Sequence, residues 1–281
     1  MKREIKELQT KANQIRKNVI EMLSEAKSGH PGGSLSSAEI ISCLFFKVMR
    51  FKSKDILWPY RDRFHLSKGH CCPALYSALC LSGYFAPEAL KTLRKTGSIL
   101  QGHPDRRTPG VEMASGSLGQ GLSIALGMAL SARLDKRDYR VYCLMGDGEI
   151  QEGNIWEAAM AAAHFRVDNL CAVVDYNRFQ IDGRTEEIMN LEPLMNKWES
   201  FGWHVIQCDG HNIEELLESF DEAKTVKMKP TVIIAHTVKG KGVSFMEHVV
   251  DFHGRAPTEE EKDIALAELI EIERIEEKKG D

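Results

Sequence analysis

An α/β fold, with a parallel β-sheet flanked by helices on both faces, is what this sequence predicts, on three observations. Two short apolar runs, 141–145 and 170–174, each end in a polar turn, Gly146-Asp147-Gly148 after the first and Asp175-Tyr176-Asn177 after the second. Runs of this kind suit buried parallel strands whose carboxyl ends open into a crevice, where open α/β sheets place their ligands. Further strands at 203–208 and 231–236 are separated by a charged amphipathic stretch at 213–227, and such alternation argues for a sheet covered on both sides. Asp147 and Asn177 lie 30 positions apart, enough for one strand–helix–strand crossover that sets them at neighbouring strand ends.

The elements follow in chain order. Ile5, Leu8, Ala12, Ile15, Val19, Met22, Leu23 and Ala26 recur at spacings of three and four between charged residues, which predicts an amphipathic helix over 1–27. Ser28-Gly29-His30-Pro31-Gly32-Gly33 reads as a loop, with an apolar helix starting near Ser37 or Ala38 and capped by Ser36 or Ser37. The stretch 61–70 reads as a short strand ending in Ser67-Lys68-Gly69-His70, followed by a helix from Pro73 to position 81. His70 would then lie near a helix amino end that favours anions, or simply pack there. Gln101-Gly102-His103-Pro104 repeats the texture of the first histidine loop, and Gly116-Ser117-Leu118-Gly119-Gln120-Gly121 leads into a small-residue helix at 122–132. Repeated glycines before a helix suit a phosphate or equally well tight helix–sheet packing. A crossover helix should begin in the stretch from Glu149 to Glu157 and continue to His164, which places Glu152 and Glu157 close to the Asp147 turn. Thr258-Glu259-Glu260-Glu261 forms a capping box that opens a final helix and tail over 258–281.

The chain of 281 residues can bury a full core, and we read 1–281 as one domain, without repeats or a linker. A net charge of −4 and a pI near 6.2 give no reason to expect nucleic acid as a partner. Seven cysteines, several in apolar runs and none in a Cys-x-x-Cys pair, read as reduced core residues of a cytoplasmic protein. A charged amino terminus and the lack of any long apolar run argue against a membrane segment.

At the centre, a carboxylate at Asp147, an amide oxygen at Asn177 and a backbone carbonyl at Phe179 suit magnesium, which completes its octahedron with waters and phosphate oxygens. Here the residues carry a resemblance. Gly146-Asp147-Gly148 followed by Asn177 resembles the magnesium and thiamine diphosphate motif of thiamine-dependent enzymes. The ordered set Ser28-Gly29-His30-Pro31, Ser67-Lys68-Gly69-His70, Gln101-Gly102-His103-Pro104, Gly116-Ser117-Leu118-Gly119-Gln120-Gly121, Gly146 to Gly153 and His253-Gly254-Arg255-Ala256-Pro257 resembles the amino-terminal part of transketolase.

That resemblance implies a thiamine diphosphate-binding fold with Asp147, Asn177 and the Phe179 carbonyl on magnesium. It implies Gly148 and Asn177 against the diphosphate, His70 and Lys239 near it, and Gly116, Ser117 and Leu118 along the cofactor. His30 and His103 would contact the sugar donor, His253 would touch cofactor and substrate, and Glu152 and Glu157 would join a proton-relaying acidic cluster at a subunit interface. Whole transketolases are longer, so the resemblance implies an amino-terminal subunit of a split transketolase acting on sugar phosphates. Its pyrimidine-binding domain would lie on a carboxyl-terminal partner subunit, in a heterotetramer inactive without that partner. The alternatives are the alpha subunit of a 2-oxo acid dehydrogenase, a transketolase-like enzyme with another sugar donor, and a non-catalytic cofactor-binding partner. The histidine loops favour transketolase over the first, and retention of every proposed ligand argues against the last.

Overall fold

The computed structural model describes residues 2–279. Five strands, β1 (Arg63–Leu66), β2 (Val141–Gly146), β3 (Leu170–Tyr176), β4 (His204–Asp209) and β5 (Thr231–His236), form one sheet in the order β1-β2-β3-β5-β4, every pair parallel. The helices are α1 (Lys2–Ala26), α2 (Pro31–Ser36), α3 (Ala38–Cys43), α4 (Cys72–Leu81), α5 (Gly121–Leu134), α6 (Gly153–His164), α7 (Thr185–Ile188), α8 (Leu194–Ser200), α9 (Ile213–Thr225) and α10 (Glu259–Lys279).

The strands are apolar on both sides because helices cover both sides. Tyr142, Leu144, Cys171, Val173 and Ile233 point into a core shared with α1, α3, α4 and α9. Their neighbours in sequence, Cys143, Met145, Ala172, Val174 and Ile234, point into a second core with α5, α6 and Trp198 of α8. This is the two-residue alternation of a strand, with both faces buried.

Two differences from the sequence reading bear on the site. The stretch after His30 is not an open loop: Pro31 to Ser36 make a helical turn and a half, entirely buried, with Pro31 in its first turn. Two glycines disfavour a helix by about 1 kcal/mol each, and side-chain bonds offset this, one local and one tertiary: Ser34 donates to the His30 carbonyl at 2.7 Å, and Ser36 to Asp175 at 2.6 Å. The serines expected to cap α3 are used in the same way, because neither makes a side-chain cap there and both reach Asp175 instead. The capping box at the other end has the expected geometry. The Glu261 amide donates to Thr258 Oγ1 at 3.2 Å, and the Thr258 amide to Glu261 Oε2 at 2.9 Å.

Candidate active site

The β2–β3 register pairs Gly146 with Asp175, so Asp147 and Asn177 leave adjacent strands at the same level. Asp147 is 1% exposed. Its Oδ1 accepts from the Gly148 amide at 2.8 Å, and its Oδ2 accepts from the Arg178 amide. Burial, together with the neighbouring charge of Asp175, pushes the Asp147 carboxyl up to about 7. The two amides and Lys68 oppose this without overcoming it.

Asp175 is a second buried carboxylate, and it differs because it has a cation. Lys68, 1% exposed, donates to Asp175, to the Gly33 carbonyl at 3.0 Å and to Ser37 Oγ at 3.0 Å. Burial works against ionisation of Asp175, but Lys68, Ser36 and Thr237 hold its carboxyl below the usual range. Asn177 Nδ2 donates to the same carboxylate at 3.1 Å, while Asn177 Oδ1 accepts from the Phe179 amide at 3.1 Å.

A cavity of about 150 Å³ lies against these strand ends, lined by Asp147, Gly148, Asn177, Phe179, Leu118, His70, Lys239 and His253. Eight of the residues singled out from sequence thus meet in one place. A larger cleft of about 640 Å³, between α1, α10 and the turn at 87–92, is lined by none of them. We take the smaller cavity as the site because the chemistry converges there.

Three imidazoles cluster beside it, His70 and His253 on its wall and His30 behind them. His70 and His253 are stacked at 5.2 Å between ring centres, and His30 stands edge-on to them at 5.2 and 5.7 Å. Burial pushes His30 down to about 4 and His253 to about 3, and lowers His70 well below its ordinary value, with Lys239 adding to each shift. All three are neutral at pH 7, and His30 Nδ1 is buried without a hydrogen-bond partner. Lys239, 1% exposed, lies 2.9 Å from His253 Nδ1. Burial lowers its ammonium to about 8, so most of it stays charged at neutral pH.

The remaining candidates sit further out. His103 is exposed, and a Cβ placed on Gly116 (φ +147°) would lie 3.1 Å from its ring, so the two stretches touch. Ser117 is exposed beside them. Glu152 and Glu157 are also exposed and do not line the cavity. The buried acid near this turn is Glu149, which accepts from Ser67 and from the amides of Gly119 and Gly146 at 3.0 and 3.1 Å. Sequence reasoning passed over Glu149, Lys68 and Asp175. A charged residue inside an apolar strand run was a usable signal for Asp175. Arg94 was also missed: it donates to Ser28 at 2.8 Å, and a Cβ on Gly102 would meet its guanidinium at 2.9 Å, so it joins the His30 and His103 segments.

The donor set fits a hard cation that brings its own anionic ligand. Among the described residues no three His, Cys, Asp or Glu side chains converge as a metal cage. One carboxylate pushed up by burial and the charge of Asp175 and one amide oxygen suit magnesium, which retains waters and takes phosphate oxygens, and the nearby Lys239 ammonium suits such a phosphate.

The family described as transketolase, thiamine diphosphate binding domain, matches residues 8–269. The chain belongs to that family. It is 49% identical to the 6-deoxy-6-sulfo-D-fructose transketolase subunit SqwG of Clostridium sp. (strain MSTE9), over 94% of this chain and 96% of the relative. It is 44% identical to an apulose-4-phosphate transketolase subunit of Phocaeicola vulgatus, over 98% of each. Against human transketolase it is 44% identical over 88% of this chain but 40% of that enzyme. Among solved structures, transketolase from Leishmania mexicana superposes with a TM-score of 0.88 at 32% identity, over 97% of this chain and 45% of that one. The chain thus spans less than half of these longer transketolases, and the fold above is that of their thiamine diphosphate binding domain.

Proposed function

We propose that this chain is the amino-terminal subunit of a split transketolase that moves a two-carbon ketol unit from a ketose phosphate to an aldose phosphate. The observation that carries the reading is the likeness to two transketolase subunits, each covered over nearly its whole length. The cavity supports it as well. At about 150 Å³ it is smaller than the roughly 300–1,000 Å³ of an ordinary small-molecule site, so this chain holds one end of the cofactor and a partner encloses the rest. We assign that partner the pyrimidine-binding domain, the assembly a heterotetramer, and the setting the cytoplasm and the pentose phosphate pathway. The two named relatives handle a sulfo sugar and apulose-4-phosphate, so the donor is to be established by profiling rather than by family.

In this reading Asp147, Asn177 and the Phe179 carbonyl hold magnesium, and Gly148, Asn177, His70 and Lys239 face the diphosphate. Gly116, Ser117 and Leu118 run along the cofactor. Thiamine diphosphate, when bound, supplies a thiazolium carbon that can accept and release the ketol unit. The chain's own residues do the rest. The neutral rings of His30 and His253 can each hydrogen-bond a sugar hydroxyl. His103, at the outer edge, binds donor hydroxyls. Glu152 and Glu157, exposed near the site, belong to an acidic cluster completed across a subunit interface.

Two measurements test this. Native purification of the tagged chain should recover a second subunit, and ketol transfer should require both. A lone chain that binds thiamine diphosphate yet never gains activity with any co-purifying partner would favour a non-catalytic role. His103→Ala should raise the donor KM by about tenfold or more while cofactor affinity stays within about twofold, as loss of a sugar contact does. Equal losses in both would move His103 to the cofactor.

A further inference from the structure

Asp175 lies behind the candidate ligands and ties together the segments that carry His30, His70, Asn177 and Lys239. It is fully buried and accepts from five side chains: Lys68, Ser36 at 2.6 Å, Ser37 at 3.4 Å, Thr237 and Asn177 Nδ2 at 3.1 Å. Lys68 is two residues before His70, the serines belong to the segment that follows His30, and Thr237 is two residues before Lys239. One carboxylate therefore fixes the relative positions of four chain segments.

Its effect on Asn177 is specific. A carboxylate paired with Lys68 can only accept hydrogen bonds, so the Asn177 amide must turn its NH₂ toward it. The amide oxygen is then left to the Phe179 N–H and to the cavity that Asn177 lines. The Phe179 N–H and the Asp175 carboxylate select the same one of the two nearly isosteric amide orientations, and without the pure acceptor only the single Phe179 bond opposes the flip that would present a donor where a cation needs an oxygen.

We propose that Asp175 is the positioning residue of the site: it sets the Asn177 amide with its oxygen toward the metal and locks that strand end to the His30, His70 and Lys239 segments. This rests on the reading of the cavity as a metal and diphosphate site. Groups behind metal ligands commonly contribute roughly 10–100-fold in metal affinity.

The test is calorimetric titration of Mn²⁺, in the presence of thiamine diphosphate, into the full chain carrying Asp175→Asn. Asparagine keeps the shape but can donate as well as accept, so it no longer dictates which way Asn177 turns. Mn²⁺ affinity should fall at least roughly tenfold with an unchanged circular dichroism spectrum. A β3 core variant of matched melting temperature, Val173→Ala, should keep wild-type affinity, which separates positioning from general loosening. Wild-type affinity in Asp175→Asn overturns the inference, and so does an equal loss in Val173→Ala. Should Asp175→Asn not fold, Lys68→Met/Asp175→Asn removes both charges and is held to the same criterion. A wild-type chain that binds neither Mn²⁺ nor thiamine diphosphate would overturn the cofactor reading itself and this inference with it.

Discussion

Asp147→Ala should abolish magnesium-dependent binding of thiamine diphosphate, a larger loss than the roughly 10–100-fold expected for a group behind a ligand. The reason is the imbalance around this carboxylate. It is buried, its charge is set against that of Asp175, and the structure offers it amide hydrogen bonds and no close ion pair. Lys68, the near cation, is committed to Asp175. In the proposed reading a divalent cation supplies what is missing, and without the carboxylate the protein offers that cation only neutral oxygens.

The same imbalance gives a pH dependence with a definite sign. The Asp147 carboxyl lies at about 7 in the folded chain against 3.8 ordinarily, so the metal-free folded state binds the proton more tightly than the unfolded state. Its contribution to stability is fully present below the ordinary value and is lost as pH rises toward about 7. A metal competes with that proton. Magnesium with thiamine diphosphate should therefore raise the melting temperature more at pH 8 than at pH 6, and in Asp147→Ala by little at either. Unchanged calorimetric affinity in Asp147→Ala, or a metal effect indifferent to pH, would place the metal elsewhere.

What could be read from sequence, and what could not, follows from where each segment's stability arises. The strand at 231–236 is found as β5 with the same bounds, and the helix at 213–227 as α9 two residues shorter. Both carry their pattern within themselves. The segment after His30 is different: Pro31 to Ser36 are helical only because buried serines bond to Asp175 and to nearby carbonyls. The Gly33 carbonyl is local, but Asp175 lies 139 positions from Ser36, outside any local window. Short α7 and α8, too brief to show a helical period, went unread for a similar reason. At the site, residues at strand ends and in glycine turns could be found, since turn chemistry marks them. The groups that hold them, Lys68, Asp175 and Glu149, are defined by pairing across 107 and 82 positions, and no local spacing reports such a distance.

That division between ligands and supports leads to the second large effect, in stability. Lys68→Met should cost about 3–5 kcal/mol, because it strands the buried Asp175 carboxylate without its cation. The side chain also gives up its bonds to Gly33 and Ser37, which hold α2 against the sheet. Urea unfolding of the metal-free chain measures this. Lys68→Met/Asp175→Asn should recover at least half of the loss, since a buried ion pair replaced as a unit is often close to neutral. A cost below about 1 kcal/mol in the single variant would mean that the pair is hydrated and contributes as a surface bridge does. The recovered double variant is the informative one, because it would be a stable fold that still binds Mn²⁺ poorly. Stability can be restored by removing both charges, but the orientation of Asn177 cannot, since it needs an acceptor that never donates. The ion pair would then matter less for stability than for what its carboxylate does for the neighbouring amide.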